Sequence, residues 1–197
     1  MNMILKVAAI CMTMALAPTV ANAVPVIDQN NPTVAGGFCS LGLGYLCGQS
    51  FQQAHTNIAG AGFFVDPLSP AGDGTVTVSV YSSYSATPSG LIASATSATV
   101  NSGSGWVDVY WAPAAVSLLT TYFMVLESTE PFLVAAYSDP GTYTFGNALY
   151  GGSTTAYADY DLTFRTYYDN GAVPEPATLA LLALGLAGLG FGRRRKA

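Results

Sequence analysis

Residues 75–81 read Thr75-Val76-Thr77-Val78-Ser79-Val80-Tyr81. Valines alternate with hydroxyl residues, and a period of two puts successive side chains on opposite faces of a strand. One face is apolar and the other polar, so the stretch predicts a strand lying half-buried on a core. Gly105 to Trp111 repeats the pattern, with Val107, Val109 and Trp111 set against Trp106, Asp108 and Tyr110. The odd offset between Trp106 and Trp111 means that only one of them can point inward from a regular strand. Residues 121–127, 131–137 and 161–168 read as further strands, rich in aromatic and β-branched types, with less marked ones at 58–65 and 91–100. Asp73-Gly74, Pro88-Ser89-Gly90, Ser102 to Gly105, Asp139-Pro140-Gly141 and Gly151-Gly152 punctuate them as turns. No dozen-residue window from Val24 to Val173 carries a 3.6-residue apolar stripe. Short strands without crossover helices predict an all-β fold, an antiparallel β-sandwich of jelly-roll-like topology.

The two ends of the chain read differently. Lys6, the apolar run Val7 to Ala17 and Ala21-Asn22-Ala23 have the order of a secretory signal peptide over residues 1–23. The run is too short to span a bilayer, and signal peptidase is expected to cut after Ala23, removing Cys11 with the leader. At the other end, residues 171–197 hold Pro174-Glu175-Pro176, an apolar run from Ala177 to Gly192, then Arg193-Arg194-Arg195-Lys196. As a helix that run measures about 24 Å, somewhat under the roughly 30 Å hydrocarbon core. It predicts a minimal C-terminal transmembrane helix that holds the chain in the membrane before processing, its cations staying cytoplasmic. Gly185, Gly188, Gly190 and Gly192 lower its helix propensity, which suits a processed signal better than a permanent anchor.

This tripartite tail resembles the PEP-CTERM sorting signal of Gram-negative bacteria. The resemblance implies recognition by an exosortase, a transpeptidase-like membrane protease acting near Pro174, Glu175 and Pro176. It also implies export across the inner membrane, a transient membrane-anchored stage and delivery to the cell surface, often in bacteria that make exopolysaccharide. A second resemblance covers residues 49–168. Gln49-Ser50-Phe51, the Val-Ser-Val-Tyr strand followed by Pro88-Ser89-Gly90-Leu91, Gly105-Trp106-Val107 and Asp161 to Tyr167 are similar to an extracellular bacterial sandwich module found ahead of sorting or anchoring tails. That likeness implies a fold and no activity. The predicted organisation is therefore a signal peptide (1–23), a glycine-rich segment with a disulfide (24–50), a sandwich (51–170) and a sorting tail (171–197).

Between Val24 and Val173 the charge is one-sided, with ten carboxylates against Arg165 as the sole Lys or Arg. Such a domain repels phosphate backbones and anionic headgroups, which excludes nucleic acid as a partner. Cys39 and Cys47 are the two cysteines left after leader removal, and in an exported chain they are expected to pair. Two cysteines without a nearby histidine do not make a zinc site, so no metal or other cofactor is expected.

The chemistry-bearing residues are few. His55, in a polar stretch, reads as a surface residue with no nucleophile motif around it. Asp108, Glu127 and Glu130 are candidate paired carboxylates for a secreted glycan-active enzyme, the alternative to the non-catalytic reading favoured here. Asp66, Asp73, Asp159, Asp161 and Asp169 could supply oxygens to calcium but show no calcium-loop spacing, so surface acids account for them. Trp106 and Tyr110 share one strand face with Asp108 between them, a candidate strip for stacking sugar rings of an exopolysaccharide. The expected protein is a non-catalytic, surface-sorted structural or adhesive component of the extracellular matrix.

Overall fold

The computed structural model describes residues 24–41, 46–67, 74–85, 87–100, 103, 105–129, 133–150, 156–157 and 159–171. The predicted signal peptide with Ala23, and the predicted transmembrane helix with Pro174, Glu175 and Pro176, lie outside them. Among the described residues no helix is long and apolar enough to cross a membrane. Residues 25–170 form one compact unit.

The unit is all-β, with two antiparallel sheets. The seven-stranded sheet contains β1 (Val26–Asn31), β2 (Gly37–Ser40), β4 (Asn57–Pro67), β7 (Gly105–Ala115), β9 (Leu133–Ser138), β12 (Asp161–Leu162) and β13 (Phe164–Tyr168). The six-stranded sheet contains β3 (Cys47–Gln52), β5 (Val76–Ser85), β6 (Thr87–Thr96), β8 (Thr121–Ser128), β10 (Ala148–Tyr150) and β11 (Ala156–Tyr157), in the order β11-β10-β3-β8-β5-β6. Most connections carry the chain from one sheet to the other. The long β4 organises the first sheet: β7 runs along one edge, while β13 and then β9 share the other.

One hydrophobic cluster draws on both sheets. Val76, Val78 and Val80 of β5 are buried in it with Met124 and Leu126 of β8, against Ile58, Phe63 and Val65 of β4. The alternation in 75–81 therefore has its expected consequence. The opposite face of β5 pairs hydroxyls across to β6, Thr77 with Thr96 and Ser79 with Ser94, each at 2.8 Å. Such cross-strand pairs are the elementary unit of sheet stabilisation. In β7, Val109 is buried in the cluster, and Val107 and Trp111 pack against it. Trp111 is thus the inward tryptophan, and its indole Nε1–H donates to the Ile58 carbonyl at 3.0 Å.

Pro88-Ser89-Gly90 departs from its reading as a turn. It lies inside β6, where Pro88 pairs with Tyr84 and Ser89 with Ser83. Proline lacks a ladder donor, but β6 is the sheet's edge, where that donor is not needed. Gly90 takes φ +69°, a left-handed conformation open to glycine. The register between β5 and β6 shifts nearby, between Val80 and Tyr81.

Strands also begin well ahead of residue 51, since 26–52 supply β1, β2 and β3. Cys39 on β2 and Cys47 on β3 form the expected disulfide, with Cα atoms 6.1 Å apart. Because β2 belongs to one sheet and β3 to the other, the bond ties the two sheets together. Closing so short a loop restricts the unfolded chain by about 2–3 kcal/mol in the chain-entropy account. The Cys39→Ala/Cys47→Ala double variant is expected to lose that much in urea unfolding, and to become insensitive to reductant.

Candidate functional site

The outer face of β4 reads Gly60, Gly62, Phe64, so two positions in a row project no side chain. Gly62 pairs with Asp108 of β7 on one side and Arg165 of β13 on the other. Over that gap the Arg165 guanidinium forms a two-pronged contact with Asp108, its Nε donating to Oδ1 at 2.8 Å and a terminal nitrogen to Oδ2. Gly60 likewise pairs with Tyr110 and Tyr167, whose rings meet at 5.0 Å. The Tyr167 hydroxyl donates to Asp108 Oδ1 at 2.8 Å. Arg165 also lies 4.1 Å above the Trp106 ring, a cation–π contact.

Electrostatics follow from this packing. Hydrogen bonding to Asp108 raises the Arg165 pKa further above its ordinary value. Burial, then hydrogen bonds with Tyr110 and Asp108, pushes the Tyr167 phenol up. Trp106 and Tyr110 do stand on one outer face, as the alternation required, but with an ion pair between them. Arg165 covers the Trp106 ring, while Tyr110 is 51 % exposed. Asp108 is held by Arg165 and Tyr167, Glu127 sits on β8 in the other sheet, and Glu130 lies outside the described residues.

His55 has more partners than a surface reading suggests. Its Nδ1 is 2.8 Å from Oδ1 of Asp28, a side chain only 1 % exposed. Its ring stacks on Tyr168 at 3.5 Å, and the Ala54 N–H donates to Asp28 Oδ2 at 2.9 Å. These contacts clip β1, the β3–β4 loop and β13 together. Asp161 is not a surface acid either. It is buried, accepts at Oδ1 from Gln49 Nε2 at 2.9 Å and at Oδ2 from the Tyr143 N–H at 2.8 Å, and burial raises its pKa. Gln49 Oε1 in turn accepts from the Leu162 N–H at 2.8 Å. Tyr143 is pushed up to about 12, chiefly by burial. Among the described residues no three His, Cys, Asp or Glu side chains come together as a metal site.

Sequence reasoning missed an open cleft of about 310 Å³ beside the disulfide. Its floor includes Cys39, Leu149 and Leu162, all buried. Its walls are Phe38 and the tyrosines 137, 150, 157 and 160. The tyrosine rings meet edge to face in series: Tyr150 with Tyr157 at 6.4 Å, Tyr157 with Tyr160 at 6.0 Å, and Tyr160 with Tyr137 at 5.3 Å. These residues come from β2, β9, β10, β11 and the turn before β12, so no local motif could have announced them.

No curated protein matches the chain. A family model described as the PEP-CTERM protein-sorting motif matches residues 172–196. The all-β domain is thus followed by a PEP-CTERM sorting signal, which marks the chain as an exported protein of Gram-negative type, sorted to the surface through an exosortase.

Proposed function

We propose that this protein is a non-catalytic structural or adhesive component of the extracellular, exopolysaccharide-containing matrix, built as a jelly-roll-like β-sandwich. Signal peptidase releases it after Ala23. The C-terminal helix then holds it in the membrane until an exosortase acts near Pro174, Glu175 and Pro176. The match of the sorting motif to residues 172–196 carries this reading. It is supported by a rigid domain with a cross-sheet disulfide, suited to an oxidising exterior. The state of the carboxylates supports the non-catalytic part. Asp108 is neutralised by Arg165, Asp161 is locked to Gln49, and Asp28 is held against His55. A glycosidase needs two carboxyl groups facing each other across a substrate groove.

The test is fractionation of the producing cells with mass measurement of the recovered protein. The expected product begins at Val24, lacks the residues after the Pro-Glu-Pro segment and is found at the cell surface. A chain recovered from the cytoplasm with both ends intact would overturn the proposal.

A further inference from the structure

The tyrosine cleft beside the Cys39–Cys47 disulfide has a definite chemistry. We propose that it is a binding site for a neutral saccharide, one or two rings of a longer glycan. The inference rests on the matrix reading above and assigns that reading its contact site. The walls are flat aromatic faces held by packing. Tyr137 lies against Gly36 and Gly37, where an added Cβ would come within 2.9 Å and 2.7 Å of its side chain. Tyr160 is braced between Tyr137 and Tyr157. The outer walls keep accessible surface at Tyr157, 44 % exposed, and Phe38, 45 % exposed.

Sugar rings offer apolar C–H faces that pack on such walls, and hydroxyls that pair with phenols able both to donate and to accept. Among the described residues the lining carries no ionisable acid or base other than tyrosine, so these offer no charge partner to an anionic or cationic ligand. The surrounding domain has ten carboxylates against one arginine, which repels acidic polymers in particular. The cleft volume of about 310 Å³ lies at the lower end of small-molecule pockets, about 300–1,000 Å³, and suits a short segment entering from an open side. The aromatic strip around Trp106 is a poorer candidate, because Arg165 already covers that ring.

The experiment titrates the full chain, in detergent, with neutral gluco- and galacto-tetrasaccharides and with the neutral fraction of the producing cell's exopolysaccharide. A uronic-acid tetrasaccharide and an oligoproline run alongside, with tyrosine fluorescence and calorimetry as readouts. Saturable binding of a neutral saccharide is expected, with the uronic acid and the oligoproline at least tenfold weaker. Tyr157→Ala, at an exposed position, is expected to weaken binding at least tenfold, while Tyr157→Phe retains most of it. The inference is overturned if no neutral saccharide binds, if the oligoproline binds best, or if Trp106→Ala abolishes binding while Tyr157→Ala does not. Cell fractionation separates the two readings. A surface-sorted protein without saccharide binding removes the cleft assignment alone, whereas a binder that stays in the cytoplasm keeps the cleft and removes the matrix role.

Discussion

Gln49→Leu is expected to destabilise the domain by about 3–5 kcal/mol, the sum for two buried polar groups left without a partner at about 1–3 kcal/mol each. Gln49 is fully buried on β3, yet both ends of its amide reach β12 of the other sheet. Leucine has similar bulk and no polar atoms. The substitution withdraws a donor from the buried Asp161 carboxylate and an acceptor from the Leu162 N–H in a single step, and each orphaned group carries its own desolvation cost. Urea unfolding measures the loss. A change under about 1 kcal/mol would show that the Gln49–Asp161 contact does not restrain the two sheets.

The burial of Asp161 sets a pH dependence, against which its hydrogen bond from Gln49 works. Burial raises the Asp161 pKa in the folded state above its unfolded value. The folded chain therefore holds that proton more tightly, and the group's contribution to stability is fully present below the unfolded pKa. It is lost as the pH rises through the folded pKa. Asp161→Asn removes this titration, so the stability of the native chain relative to the variant is expected to fall from acid to neutral pH. A difference that is flat or rises over that range would contradict the assignment.

Gly62→Val is expected to cost about 3–5 kcal/mol, combining overpacking with the loss of hydrogen bonds between charged groups. A Cβ at Gly62 would collide with Asp108 Oδ1 and come within 3.1 Å of the Val107 carbonyl oxygen. Arg165 and Asp108 meet only because β4 projects nothing between them. With valine there, the guanidinium must leave both Asp108 and the face of Trp106. The tryptophan emission is expected to change along with the loss in the unfolding midpoint. Retained stability with unchanged emission would show that the pair does not depend on the gap at Gly62.

The fold was legible where alternation was strict. Val76, Val78 and Val80 needed only a core on one side, and β7 placed Val109 inward and Tyr110 outward as its pattern required. Pro88-Ser89-Gly90 misled because turn chemistry and edge-strand chemistry use the same residues, and only the neighbour on the other side tells them apart. Within the site, the Trp106–Asp108–Tyr110 face could be read from one strand. Its relation to Arg165 depended on β4 pairing with both β7 and β13, which sets side chains 57 apart in sequence against each other across Gly62. Gly60-Ala61-Gly62 held a signal for it, since glycines two apart leave a bare stripe that neighbouring strands can close over. The tyrosine cleft had no such signal. Tyr137, Tyr150, Tyr157 and Tyr160 lie on three strands and a turn, and only the approach of the sheet edges makes them one surface.

The internal pairing of Arg165 has a colloidal consequence. The domain's single guanidinium is already matched by Asp108, so it offers no counterpart to a neighbouring copy's carboxylates. In the matrix proposed above, copies set side by side would therefore repel, over a Debye length of about 8 Å at physiological salt. Charge balance must come from mobile cations trapped between them. Their osmotic pressure would draw in water, so such a matrix is expected to swell in dilute medium and to thin as salt rises, while each β-domain within it keeps its shape.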